Sequence, residues 1–131
     1  MHRIAALTTL LTLSAVLNAG CERGPDPAEI AAKQAGCNRQ VADWQRRQET
    51  VGAAYEAKAH FDAGSGRCLA HVVGGETAAN RFESVVDVGN DVVIAGCSAV
   101  REAMGDTPCQ VNGEPASGPA GRMTIKRLTG Q

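Results

Sequence analysis

The sequence predicts a mainly α-helical domain over residues 27–110, a small disulfide-stapled bundle of two to three helices with a flexible N-terminal tether and C-terminal tail. Apolar residues recur at spacings of three, four and seven in two long segments, which is the period of an amphipathic helix. Large aromatic side chains make up only 3% of the 131 residues, so the core is thin. Four cysteines in this region offer the covalent staples that such a domain needs.

The first predicted helix covers residues 27–62. Asp26 is a favourable N-cap and Pro27 suits the first helical position, so the start is well defined. Gly36 and Gly52 each weaken the helix, which leaves a bend or an early break open. The apolar face of this helix collects Ile30, Cys37, Val41, Trp44, Val51, Tyr55 and Ala59.

The middle of the chain supports two interpretations. Two β-branched runs, residues 85–88 and 91–94, flank Gly89-Asn90, a pair typical of a two-residue β-hairpin turn. A helix over residues 77–104 is the alternative, and we favour it because the helical period persists along the whole segment and outweighs local β-propensity. Its apolar face would hold Phe82, Val85, Val86, Val93, Cys97, Val100, Ala103 and Met104.

Cys37, Cys68, Cys97 and Cys109 are predicted to form two disulfides, because an even number of cysteines in an exported chain is typical of such bonds. Bonded cysteines need α-carbons within roughly 7 Å. Two unbroken helices would strand Cys68 in their connection, whereas a break at Gly89-Asn90 gives three helices. We therefore prefer Cys37 with Cys97 and Cys68 with Cys109 over Cys37 with Cys109 and Cys68 with Cys97.

The C-terminal residues 111–131 are predicted to be a flexible tail. Residues 113–121 are rich in Gly, Pro and Ser, as in a linker, and residues 123–128 alternate apolar and polar side chains. A disordered tail is the favoured interpretation of this pattern. The alternative is a strand that adds to the sheet edge of a partner protein, or a segment that lies against an acidic surface.

The first 20 residues have the layout of an export signal. His2 and Arg3 form a short basic segment, residues 4–17 are apolar, and Ala19-Gly20 are small residues suited to cleavage. The apolar run is shorter than the roughly 20 residues that span a bilayer. We therefore expect residues 1–20 to be removed.

The residues around the expected cut, Leu17-Asn18-Ala19-Gly20-Cys21, resemble the lipobox of bacterial lipoproteins, and depart from it at Asn18, where Leu is common. The resemblance implies that Cys21 receives diacylglycerol, so membrane lipid is an expected partner through Cys21. Residues 21–26 would then be a tether. Glu22 follows the cysteine where Asp would retain the protein in the inner membrane, which implies the outer membrane, facing the periplasm. The alternative is an ordinary secretory signal with Cys21 as a free thiol.

Composition and motifs exclude several functions. The chain has 13 Lys and Arg against 14 Asp and Glu, a balance without the basic excess of nucleic-acid-binding proteins, so no nucleic acid partner is expected. We find no nucleophile elbow, no zinc-protease motif, no phosphate-binding loop and no haem-attachment motif. No catalytic residue, cofactor or metal is therefore predicted.

Two weaker patterns have ordinary explanations. Cys68-Leu-Ala-His71 has the spacing of half a metal site, with His60 as a further candidate, but an exported cysteine is more often in a disulfide. Asp87 and Asp91 would lie one helical turn apart and could flank a metal ion or a sugar bond. A solvated helix face is the favoured interpretation of that pair.

These observations together predict a membrane-anchored envelope lipoprotein that acts by binding an unidentified envelope protein. It would be either an inhibitor or immunity protein for an envelope enzyme, such as a wall-degrading hydrolase, or an accessory subunit of an envelope complex. The alternative is a small envelope enzyme or metal-binding protein with an unrecognised site. Such a site would need converging polar groups in a pocket.

Overall fold

The protein folds around one antiparallel sheet, and the predicted mainly α-helical bundle is wrong. The structure, a computed structural model, describes residues 24–49 and 55–131. Six strands lie in the sheet in the order in which they occur in the chain, each antiparallel to the next. The elements in chain order are α1 (Pro27–Glu49), β1 (Tyr55–Asp62), β2 (Arg67–Gly74), β3 (Phe82–Asp87), β4 (Val92–Ser98), α2 (Ala99–Ala103), β5 (Cys109–Val111), β6 (Glu114–Ala116) and α3 (Gly118–Thr129).

A helix covers part of each face of the sheet. On one face, Cys37, Val41 and Trp44 of α1 pack with Ala70, Val72 and Val86. On the other face, Ile125 of α3 packs with Leu69, Val85, Ile94 and Ala95. The two adjacent residues Leu69 and Ala70 thus belong to different cores, because successive side chains of a strand point to opposite faces.

The first helix begins where the sequence predicts and ends earlier. The Asp26 carboxylate accepts a hydrogen bond from the Ala28 backbone N–H at 3.0 Å, so it caps the helix. The helix ends at Glu49, and residues 55–62 form β1 in place of the predicted last turns. Tyr55, Ala57, Ala59 and Phe61 pack toward α1 from alternate positions of this strand, the period of a strand and not of a helix. Val51 and Gly52 lie outside the described residues.

The middle segment is a β-hairpin, so the helix favoured over residues 77–104 is wrong. Strands β3 and β4 pair from Phe82 opposite Ser98 to Asp87 opposite Val92, with a register shift at Val85/Val86. The turn has four residues, 88–91, where the sequence predicted two. It is held by the Asp87 carboxylate, which accepts from the backbone N–H groups of Gly89 and Asn90 at 3.1 and 3.3 Å.

The C-terminal residues are ordered, which corrects the predicted flexible tail over residues 111–131. The supposed linker contributes β6 and the start of α3. Ser117 caps α3 by accepting from the Ala120 N–H at 3.4 Å. Ile125 is only 1% exposed and Leu128 packs against the same core. A strand formed by residues 123–128 is therefore wrong, because the segment is helical and its Ile125 and Leu128 already cover the sheet.

Two disulfides are present, but in neither of the predicted combinations. Cys37 bonds Cys68, which ties α1 to β2, with α-carbons 5.2 Å apart. Cys97 bonds Cys109 directly across the neighbouring strands β4 and β5, with α-carbons 4.0 Å apart. The predicted pairings failed because they assumed a helical bundle. In the sheet, Cys68 lies beneath α1 and not in a helix connection.

Candidate interaction surface

Part of the sheet face that α1 covers is left open. The helix α1 packs on β1 and β2, and α3 contacts β1, β3, β4 and β5 from the opposite face. Within the described ranges, no long helix lies over β4–β6 on the α1 side. We call this region the open face. Its centre is a row of residues directly opposite one another in the register, from Ser84 to Pro115, and Val93 and Ser98 of β4 lie on the same face. Its members are Ser84, Val93, Gly96, Ser98, Gln110 and Pro115.

The open face is a shallow hollow with a floor of small side chains. Its volume is about 180 Å³, and Phe82, Pro108 and Arg101 also line it. A Cβ added to Gly96 would meet only ordinary contacts, the nearest being the Ser84 Cβ at 3.4 Å, so the backbone is close to the surface here. Val93 is 53% exposed. A shallow hollow that is lined by an exposed apolar side chain, Val93, and by a cation, Arg101, is suited to contact with a protein.

The edges of the sheet are protected against strand addition. The side chain of Gln34 in α1 accepts from the Phe61 N–H at 2.8 Å and donates to the Ala59 carbonyl at 3.2 Å. It thus occupies backbone groups of the edge strand β1 that a foreign strand would pair with. At the other edge, β6 has three residues and contains Pro115, which has no N–H to donate. Contact with a partner is therefore favoured on the face and not at an edge.

His71 is a buried titratable residue that lines a cavity. It is 8% exposed and lines a hollow of about 300 Å³ together with Lys58, Arg81 and Glu83. Its Nε2 lies 2.7 Å from Glu83 Oε1, and its Nδ1 lies 3.4 Å from the amide nitrogen of Gln131. The Glu83 carboxylate is an acceptor for Nε2, and the Gln131 amide is a donor to Nδ1. Both ring nitrogens are therefore engaged within the fold.

The half metal site suggested by Cys68 and His71 is not assembled. The two residues are three apart in β2, so their side chains lie on opposite faces of the sheet. Cys68 is bonded to Cys37 and His71 is paired with Glu83. Over residues 24–49 and 55–131, no three His, Cys, Asp or Glu side chains are grouped closely enough to hold a metal ion.

Asp87 and Asp91 do not lie on a solvated helix face, so that interpretation is wrong. Asp87 ends β3, is 5% exposed, and holds the turn. Asp91 lies in the same turn with a φ of 54°, a conformation that Asp tolerates better than most residues. Its carboxylate accepts from the Trp44 indole N–H at 2.8 Å. The two carboxylates therefore shape the hairpin and attach it to α1.

No sequence pattern predicted the open face or the hydrogen bonds by which Gln34 covers the β1 edge. Ser84, Gly96 and Gln110 come from three strands and are ordinary residues in the sequence, so the strand register alone brings them together. Cys21, the predicted lipid acceptor, and residues 1–20 of the predicted signal lie outside the described residues.

The described chain is a domain of mixed α and β structure, in which a six-stranded antiparallel sheet lies between two helices and is braced by two disulfides. No helix in this part of the chain is long and apolar enough to cross a membrane. The chain was compared with protein-family models, with curated proteins and with solved structures, and none of them matched.

Proposed function

We propose that this protein is a membrane-anchored lipoprotein of the bacterial envelope that acts by binding another envelope protein. It is either an inhibitor or immunity protein for an envelope enzyme or an accessory subunit of an envelope complex. Lipid on Cys21 holds it, in this proposal, to the outer membrane on the periplasmic side. The lipobox-like residues 17–21 support the anchor, and the two disulfides fit an oxidising compartment outside the cytoplasm.

The observation that carries the binding role is the open face. An antiparallel sheet can leave a polar face to solvent, but an exposed apolar side chain on such a face gains from burial against another protein. In this domain α1 covers β1 and β2, α3 covers the opposite face, and the α1 side of β4–β6 has no covering layer among the described residues. A partner protein that supplies the missing layer would complete the packing and bury the exposed Val93.

Binding is favoured over catalysis by the state of His71. A general base must have a ring nitrogen within hydrogen-bond reach of the proton it removes. The His71 nitrogens face Glu83 and Gln131 instead. His71 therefore joins β2 to β3 and to Gln131, which follows α3, and the open face has no buried titratable group of its own.

Site-specific photocrosslinking tests the binding role with a matched pair of positions. Val92 and Val93 are neighbours in β4 and are each 53% exposed, but their side chains lie on opposite faces of the sheet. A photoreactive residue at position 93 should give a discrete adduct in cells, and one at position 92 should not. Equal adducts from both positions, or none from position 93, would contradict binding through the open face.

The identity of the adduct separates the two forms of the proposal. An inhibitor should crosslink to a single hydrolase, whose activity falls in a stoichiometric mixture with the purified protein. An accessory subunit should crosslink to a member of a larger assembly and cofractionate with it.

The anchor has its own test. Inhibition of the lipoprotein signal peptidase should leave a heavier precursor, and Cys21→Ser should abolish incorporation of labelled fatty acid. Unchanged gel mobility under inhibition, or unchanged labelling of the variant, would contradict lipidation at Cys21.

A further inference from the structure

The helix α3 has a basic outer face that points away from the sheet. Its inner side packs on the sheet through Gly121, Ile125 and Leu128. Its outer side turns Arg122, Lys126 and Arg127 toward solvent, together with Pro119, Ala120 and Met123. Met123 is 68% exposed, so an apolar side chain lies among the cations.

The positive charge of this face is not neutralised locally. Helix α3 contains no acidic residue. Arg122, Lys126 and Arg127 form no ion pair with any residue in the described ranges 24–49 and 55–131. Arg122 lines a hollow that also contains Glu83 and Glu102, yet neither carboxylate is within ion-pair distance of it. In contrast, Lys33 and Arg46 on α1 are paired with acidic residues of their own helix.

We propose that the outer face of α3 docks on an anionic phospholipid surface. Cations near such a surface are attracted to its headgroups, and each contributes roughly five-fold to binding. Helices that lie in a membrane interface combine cations with exposed apolar side chains, as the outer face of α3 does. A nucleic acid is less suited, since the chain as a whole has a net charge of −1 and its ring side chains are not on this face.

Docking through α3 also orients the domain. The helix lies on the sheet face opposite to α1, and the open face is on the α1 side. A domain resting on lipid through α3 would therefore turn its open face away from the membrane, toward the compartment in which a partner is met. The docking stands on α3 alone and does not require lipid on Cys21.

Lysine acylation tests this docking with an internal control. The chain has three lysines, and only Lys126 is on the proposed contact. Lys33 lies in α1 on the opposite side of the sheet and is the control, whereas Lys58 of β1 faces the α3 side. The mature protein as made by the cell is mixed with vesicles of phosphatidylethanolamine and phosphatidylglycerol, or of phosphatidylcholine alone. A water-soluble acylating reagent is added, and mass spectrometry measures the modification of Lys126 relative to that of Lys33.

On the anionic vesicles, the relative modification of Lys126 should fall by about an order of magnitude, and high salt should restore it. Arg122→Gln with Arg127→Gln should weaken docking by roughly 30-fold and remove most of the protection. The control variant, Arg39→Gln with Arg46→Gln on α1, should retain it.

Equal protection on phosphatidylcholine, or unchanged protection in the Arg122→Gln, Arg127→Gln variant, would overturn the proposal. Protection by inorganic polyphosphate or a short nucleic acid as strong as that by anionic vesicles would also overturn it, in favour of a general polyanion site. The mass of the intact chain shows independently whether Cys21 is acylated, so failure of this docking and failure of the lipid anchor are distinguishable.

Discussion

Gly121→Ala should destabilise the domain, because Gly121 is the point at which α3 touches the disulfide beneath it. A Cβ at this position would lie 2.5 Å from Cys109 Sγ and 2.8 Å from Cys97 Sγ. Real Cβ atoms essentially never approach heavy atoms below 3.0 Å, so a part of the structure must move. The disulfide cannot turn aside, since it joins directly opposed residues of two paired strands. The helix α3 must therefore lift from the sheet.

Two opposing effects, overpacking and helix propensity, set the change in the free energy of unfolding. Overpacking of a well-packed core costs typically 1–3 kcal/mol, and overlap with both sulfur atoms places this case at about 3 kcal/mol. Ala gains about 1 kcal/mol over Gly from its higher helix propensity. The expected net loss in the free energy of unfolding is about 2 kcal/mol, which lowers Tm by roughly 10 °C in a domain of this size.

Gly36→Ala is the matched control for that substitution. Gly36 lies within α1, and the nearest atom to its added Cβ is the far end of Arg39, at 3.9 Å. The helix-propensity gain is therefore unopposed and should stabilise the domain by about 0.5–1 kcal/mol. Urea unfolding of both oxidised variants, followed by circular dichroism, measures the difference. If Gly121→Ala proved as stable as Gly36→Ala, the packing of α3 on the disulfide would be refuted.

Three further substitutions test the contacts that support the fold. Gln34→Ala should lower the free energy of unfolding by about 1–2 kcal/mol and promote self-association, measured by sedimentation velocity, because it uncovers the β1 edge. The control Gln40→Ala, on the exposed surface of α1, should do neither. Asp91→Ala should lower the free energy of unfolding by about 1–2 kcal/mol and alter the fluorescence of Trp44. Asp91→Asn should lower it less, because Asn keeps an acceptor and tolerates the positive φ. Equal losses of stability in the two variants would argue against the indole hydrogen bond. Burial, with Glu49 and Asp91 nearby, raises the pKa of Tyr55, so its contribution to stability is complete below pH 10 and is lost as pH rises through the raised pKa. Tyr55→Phe should abolish that alkaline decline and, since the hydroxyl has no partner among the described residues, should cost nothing at neutral pH.

The start of α1 was predictable because its signals are local. Asp26 and Pro27 act on the helix through their own backbone geometry, whatever the rest of the fold does. The inward side chains Cys37, Val41 and Trp44 follow from the helical period in the same way. These features needed no knowledge of tertiary structure.

The sheet was missed because its central strands do not alternate. Residues of β2 are buried on both sides, between α1 and α3, so Leu69 to Val72 are all buried and show no alternation of buried and exposed positions. In the hairpin, the local signal at Gly89-Asn90 was correct and the long helical period was coincidental. The register shift at Val85/Val86 interrupts the alternation of side chains between the two faces of the sheet. That alternation is the pattern that would have identified these residues as strands.

Disulfide pairing and the open face depend on topology and could not be read from the sequence. Cys97 and Cys109 are opposite one another only because β4 and β5 pair in one register. Ser84, Gly96 and Gln110 form a surface for the same reason. A one-residue slip of register would turn each of these side chains to the other face.

The central claim, that a partner protein binds the open face, is tested most directly by placing a charge at each of two adjacent positions. Once crosslinking has identified the partner, its affinity is measured for Val93→Arg and Val92→Arg, which alter equally exposed residues on opposite faces. Val93→Arg should weaken binding by about ten-fold or more, because it buries a cation in the contact, and Val92→Arg should leave it unchanged. An undiminished affinity of Val93→Arg, or an equal loss in both variants, would contradict the claim.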